Sequence, residues 1–226
     1  MRYFVFLILS TIGAASAFAQ ANSLHQQFAD ALSSGNLDSL QLLINEGIDV
    51  NAHLVFFADS PHSVSLHPIR FAKTRDVATF LIQQGADVNA QDTLGNTALH
   101  DAVAMKRTEV AALLLENGAN PNLKGSYGRT PLHVAVMEEH VTLVRLLRGY
   151  GADINAQTEN GMTVLHLAVI DNNVELVKLA LLEQIDPTLK DTYGNTALQW
   201  AEMINRPRDE TLLRVIALLK EYEMRD

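Results

Sequence analysis

One interval governs this chain. Gly95, Gly128, Gly161 and Gly194 stand 33 residues apart, and Thr97, Thr130, Thr163 and Thr196 keep step two positions later. Leu99, Leu132, Leu165 and Leu198 follow, then Ala102, Ala135, Ala168 and Ala201. Between them run "GADVN" from Gly85, "GANPN" from Gly118 and "GADIN" from Gly151. So many columns in register specify a tandem array. Each unit of such an array is one small element that completes its core only against its neighbours.

The unit can be read from its residues. Thr at the head of an apolar run is a helix N-cap, because its side chain satisfies a free backbone N–H of the first turn. Pro131 follows Thr130 at the first-turn position, where a missing N–H costs nothing. Leu99, Ala102 and Val103 recur at helical spacing and define one apolar face. A second helix follows, as in "EVAALLLENG", and Gly118 ends it in the left-handed conformation. "ADVNAQDTLGNT" supplies the Asn, Asp and Gly of a turn. The unit is therefore helix, short loop, helix, turn, and the fold class is all-α.

The carriers "GNTALHDA", "GRTPLHVA", "GMTVLHLA" and "GNTALQWA", with the G-A-[DN]-x-N columns between them, resemble the ankyrin repeat family over about residues 22–226. The resemblance implies an α-solenoid of about six helix-turn-helix units with hairpin-like fingers along one edge. The units fall at about 20–52, 53–90, 91–123, 124–156, 157–189 and 190–226. The terminal units are atypical, as capping repeats are. The first has "LHQQFADAL" in place of the Thr-x-Leu-His motif, and the last carries "NRPRDE" between its helices and closes on "TLLRVIALLKEYE". The second unit departs most. Its excess residues, "HLVFFADSPHSVS", predict an enlarged finger carrying Val55, Phe56 and Phe57. Arg70 there falls in the column of Val103, Val136 and Val169, so this unit is expected to pack loosely. Gln184 occupies a helix-ending Gly position, with an expected strain on the order of 1 kcal/mol.

The spaced histidines invite a metal or catalytic reading. His67, His100, His133 and His166 are 33 residues apart. Equivalent atoms on stacked helices lie roughly 8–10 Å apart, whereas zinc requires its nitrogens within about 2.1 Å of one point. Gln199 takes the next place in the column and is a poor zinc ligand. The resemblance assigns Thr97, His100, Thr130, Pro131, His133, Thr163 and His166 a structural role in the frame, and His67 is expected to match. "MEEHV" around His140 is not H-E-x-x-H, and no G-x-S-x-G elbow occurs. No catalytic residue, metal ligand or cofactor is expected.

Residues 1–19 read differently from the rest. A basic start, the apolar run "YFVFLIL" and the small residues of "STIGAASAFA" have the layout of a secretory signal peptide. Cleavage is expected after Ala19 or after Ala17. The apolar run is shorter than the ~20 residues a membrane span needs, so no stable anchor is expected after cleavage. The chain has no Cys, which suits an oxidising compartment. Its net charge of −9 and lack of a Lys/Arg run disfavour nucleic acid as a partner.

Function in such an array lives on its variable positions. The resemblance places binding on finger tips and the exposed ends of first helices. Here those positions include Leu94, Met105, Tyr127, Arg129, Met137, Glu138, Met162, Ile170 and Tyr193. Met and Tyr at positions facing water suit a protein-binding surface, since Met adapts its shape and Tyr adds area with a polar tip. Met203, near the terminal cap, is expected to pack against its neighbours instead. The sequence therefore reads as a non-enzymatic protein-binding module exported to a bacterial periplasm. The alternatives are a secreted factor acting on a host or competitor protein, and a His-based hydrolase or metal protein.

Overall fold

The computed structural model describes residues 23–52, 54–56, 64–204 and 209–224. The expected signal peptide, Phe57 and residues 205–208 of the last interhelix loop lie outside the described residues. Contacts divide the chain into two compact units after Asp87.

The first unit begins with α1, over 23–34, and α2, Leu37–Asn45. Asn36 caps α2 by accepting the Ser39 N–H at 3.0 Å. Next comes a two-stranded antiparallel hairpin, β1 (Leu54–Phe56) and β2 (Val64–Leu66), with Val55 opposite Ser65. The enlarged finger is thus a true β-hairpin. A 3-10 turn, Pro68–Phe71, then takes the place of a first helix and leads to α3, Arg75–Gln83.

This turn corrects two sequence expectations. His67 is the N-cap of the Pro68–Phe71 turn, with Nδ1 3.1 Å from the Asn51 carbonyl oxygen. It therefore stands where Thr130 stands, one turn earlier than the bracing histidines. Ile69 and Ala72 are buried in the places of Leu132 and Ala135. Arg70 consequently matches His133, and not Val136. The 33-residue spacing of His67 is a coincidence of register, because "HPIRFA" aligns with "TPLHVA" three residues out of step.

Among the described residues the second unit holds four helix pairs: α4 (Ala98–Ala104) with α5 (Thr108–Glu116), α6 (Pro131–Met137) with α7 (Val141–Gly149), α8 (Val164–Ile170) with α9 (Val174–Leu182), and α10 (Ala197–Met203) with α11 (Glu210–Glu223). Helices this short are marginal in isolation, so packing decides their stability. The first helices stack in the order α4, α6, α8, α10. Leu99, Leu132 and Leu165 are fully or almost fully buried, as are Val103, Val136 and Val169. Ala102, Ala135, Ala168 and Ala201 are equally buried, and their small side chains let successive backbones approach. Leu198, at the end of the stack, is only half-buried.

The turns between paired helices use the left-handed region at Lys106, Glu139 and Asn172, with φ of 55°, 53° and 55°. Second helices end in the same region at Gly85, Gly118 and Gly151, and Gln184 follows them with φ 59°. The expected strain position therefore adopts the conformation its column demands. Asn side chains join neighbouring repeats. Asn89 Nδ2 donates to the Gly118 carbonyl at 3.0 Å, while its Oδ1 accepts the Asn120 N–H at 2.8 Å. Asn122 does the same to Gly151 and Asp153. Asn51 does so to Gly85 and Asp87 in the first unit.

Candidate partner-binding surface

The surface is carried by a rigid frame pinned by the histidines. Thr97, Thr130 and Thr163 are N-caps, and His100, His133 and His166 occupy the third helical position behind them. Each His Nδ1 accepts the backbone N–H of its Thr, at 3.1, 3.2 and 3.2 Å. Each Nε2 meets a carbonyl oxygen of the next finger: Arg129 at 3.1 Å, Met162 at 3.2 Å and Asn195 at 3.1 Å. A carbonyl only accepts, so Nε2 carries the proton and Nδ1 the lone pair. The neutral imidazole thus ties its own helix start to the following finger. In the last unit Gln199 accepts the Thr196 N–H at 2.8 Å and completes the same capping box.

Burial makes the neutral form the stable one. It pushes His133 down to about 4, against the hydrogen bond to the Met162 carbonyl, which favours the proton. His166 is lowered for the same first reason. Both ring nitrogens are committed, so these side chains have no lone pair to offer a substrate or ion. Among the described residues no group of three or more His, Asp or Glu stands together as a metal site.

The fingers are cross-linked in turn. Asn96 Nδ2 donates to Ser126 Oγ at 2.8 Å, and its Oδ1 accepts the Ser126 N–H at 2.9 Å. The Glu159 N–H donates to the Tyr127 carbonyl, and the Thr192 N–H to that of Asn160, each at 3.0 Å. Gly161 allows this closeness, because a Cβ there would stand 2.9 Å from Asp191 Cα. Asp191 anchors the last finger. Burial raises its pKa, but the N–H groups of Asn195, Trp200 and Tyr193 outweigh this and hold the carboxyl below its usual range.

On this frame the candidate side chains form two rows. Leu94, Tyr127 and Tyr193 are 64%, 66% and 80% exposed at the finger tips. Arg129 lies with its guanidinium 5.0 Å from the centre of the Tyr127 ring, a cation–π contact that holds the phenol outward. Met137 and Ile170 end α6 and α8, while Met105 and Glu138 are the C-caps of α4 and α6. Met105 and Met137 are exposed, and Ile170, Glu138, Arg129 and Met162 are half-buried. Met162 contributes its carbonyl to His133 and less of its side chain to the surface. Met203 departs from expectation. It is 61% exposed and extends the row of Met137 and Ile170 along α10.

Carboxylates border the helix-end row. Lys106 Nζ lies 3.5 Å from Glu138 Oε2 across adjacent repeats. Asn173 Nδ2 donates to Glu139 at 3.0 Å. Asp171 is raised above its ordinary pKa, first by desolvation and then by the charge of Glu139. The sequence itself reads Glu138, Glu159 and Asp171 as an acidic rim interrupted by Arg129, whereas the Asn ladder and the part of Glu139 are not among its expectations. The last Asn of each G-A-[DN]-x-N column is a signal that marks the ladder. The part of Glu139 has no such signal, because its influence on Asp171 arises only when successive repeats stack.

Models of ankyrin repeats match this chain twice, over residues 69–158 and 143–201. The chain is also similar to the rabbit (Oryctolagus cuniculus) transient receptor potential cation channel subfamily V member 5, at 38% identity over 69 residues. That match takes in 27% of this chain and 10% of the channel protein. No helix among the described residues is long and apolar enough to cross a membrane. The alternation of paired helices with cross-linked fingers, and the matched models, agree: the chain belongs to the ankyrin repeat family, whose domains are protein–protein interaction modules and typically non-catalytic.

Proposed function

We propose that the chain is a non-enzymatic module, exported to the periplasm by its first 19 residues, that grips a protein partner with its finger tips and first-helix ends. The observation that carries the reading is the exposure of Leu94, Met105, Tyr127, Met137, Tyr193 and Met203 at the variable positions of successive repeats. Burying one such side chain contributes about 1.5–3 kcal/mol, and a frame already cross-linked loses little freedom on binding. The histidines support the non-enzymatic part, since their nitrogens are occupied by the backbone. The signal-like N-terminus and the absence of Cys support export.

The test is crosslinking in intact cells from a photoreactive residue at position 137, followed by mass spectrometry of the adducts. The combined replacement Tyr127→Ser, Met137→Ser and Met203→Ser should abolish the adducts formed from position 94 while leaving the helical circular dichroism unchanged. Undiminished adducts would sink the surface assignment. Fractionation of the same cells tests the address. A mature N-terminus at Gln20 or Phe18 in the periplasmic fraction is the expected result, and full-length protein in the cytosol overturns export.

A further inference from the structure

Resting on that reading, we infer that the partner segment held along the first-helix ends is both apolar and cationic, with Lys or Arg side chains seated at Glu139 and Asp171 beside an apolar contact on Met137, Ile170 and Met203. The apolar part follows from the row itself. Met137 ends α6, Ile170 ends α8 and Met203 ends α10, at equivalent places in stacked helices, so they form one strip. The turns directly after these helices supply the charge.

Those turns change sign along the stack. The first, after α4, bears Lys106 and Arg107. The second bears Glu138 and Glu139, and the third bears Asp171. Lys106 spends its charge on Glu138 at 3.5 Å, and Lys220 on Glu202 at 2.7 Å. Glu139 meets a neutral amide donor from Asn173, and His140 accepts the Leu143 N–H through Nδ1. Two carboxylates, Glu139 and Asp171, thus stand on adjoining turns of successive repeats, which the Asn173–Glu139 bond ties together, and both turns pass through the left-handed region, at Glu139 and Asn172. Asp171 is raised first by desolvation, and repulsion by the like charge of Glu139 adds to it. A cation arriving between them relieves that repulsion, and an acidic segment adds to it. The strip fits a segment in which basic and apolar residues alternate, and it rejects an acidic one.

Three fluorescent peptides of equal length test this: one of Lys and Leu, one of Glu and Leu, and one of Lys and Ser. The Lys/Leu peptide should bind the mature chain about tenfold or more tightly than either of the others. The pair E139Q and D171N should weaken Lys/Leu binding about tenfold, with an unchanged thermal melt. The pair D153N and D186N removes the same charge from exposed loops after α7 and α9, and should leave binding as it was. Equal affinity for Lys/Leu and Glu/Leu peptides overturns the inference, as does an equal loss in the loop control, which would mean attraction to net charge alone. Crosslinking from position 137 does not depend on charge. A partner captured there through an acidic segment would overturn this inference and leave the protein-binding reading standing.

Discussion

His133 has no exposed surface, engages both ring nitrogens and titrates at about 4 when folded, against 6.5 when free. Above pH 6.5 both folded and unfolded chains carry it neutral, and its contribution to stability is complete. As the pH falls from 6.5 towards 4, the unfolded chain binds a proton that the folded chain refuses, so stability is lost across that window. The size is roughly 3 kcal/mol for this residue, and His166 acts in the same direction. His133→Gln keeps the cap, as Gln199 does in the last unit, and removes the titration. We expect the variant to be about 1 kcal/mol less stable near neutrality, where the bond to the Met162 carbonyl is missed. Its urea midpoint should then fall less than that of the natural chain between pH 6.5 and 4. Parallel pH dependence in the two proteins would show that His133 is not the residue buried neutral. The role of this side chain is legible in the sequence, because Thr and His three positions apart at a helix start can satisfy each other's groups.

Gln184 shows what one element tolerates. Second helices close with a pair of reversed hydrogen bonds, and at Gly151 both are 3.0 Å: Gly151 N to Arg148 O, and Ala152 N to Leu147 O. At Gln184 the same two bonds stretch to 3.4 Å. Its φ of 59° crowds the Cβ of any L-residue, and Gly relieves this. Gln184→Gly should raise stability by about 1 kcal/mol, less a few tenths for the greater freedom of Gly when unfolded, read as a higher denaturant midpoint with unchanged slope. A lower midpoint would mean that the Gln side chain makes compensating contacts. This position is readable from its column, as are the fingers and the paired helices. The second repeat is not. Its inserted hairpin displaces the columns, so a 33-residue count lands on His67 while the fold aligns Pro68 and Ile69 with Pro131 and Leu132. Periodicity is a statement about spacing, and an insertion separates spacing from structural position. The exposure of Met203 escapes the sequence for a related reason. Neighbours decide burial, and α10 is met by α8 and α11 in ways that column membership does not encode.

The residues from Val88 onward are held together by nearest-neighbour contacts: α4 on α6, α6 on α8, α8 on α10, each with its own partner helix. The side-chain bonds from Asn89 to Gly118, from His100 to Arg129 and from Asn96 to Ser126 each span one repeat boundary and no more. Such an array is stabilised by terms within repeats and between adjacent ones, so damage spreads by steps and decays with distance. The same linkage serves binding, because each finger is fixed by the next and the exposed rows keep their spacing before a partner arrives. Leu165, 1% exposed in α8, is the place to measure it. Leu165→Ala removes packing worth about 2–5 kcal/mol. Amide exchange should accelerate most in α8 and α9, next in α6 and α10, and least in α4 and α5, which are linked to α8 through α6. Partner binding at Met137 and Ile170 should weaken with it, while the finger tip at Leu94 keeps its protection. Uniform acceleration from α4 to α11 would mean that these repeats open as one block, and the strip along the first-helix ends would then be a property of the whole stack and not of adjoining repeats.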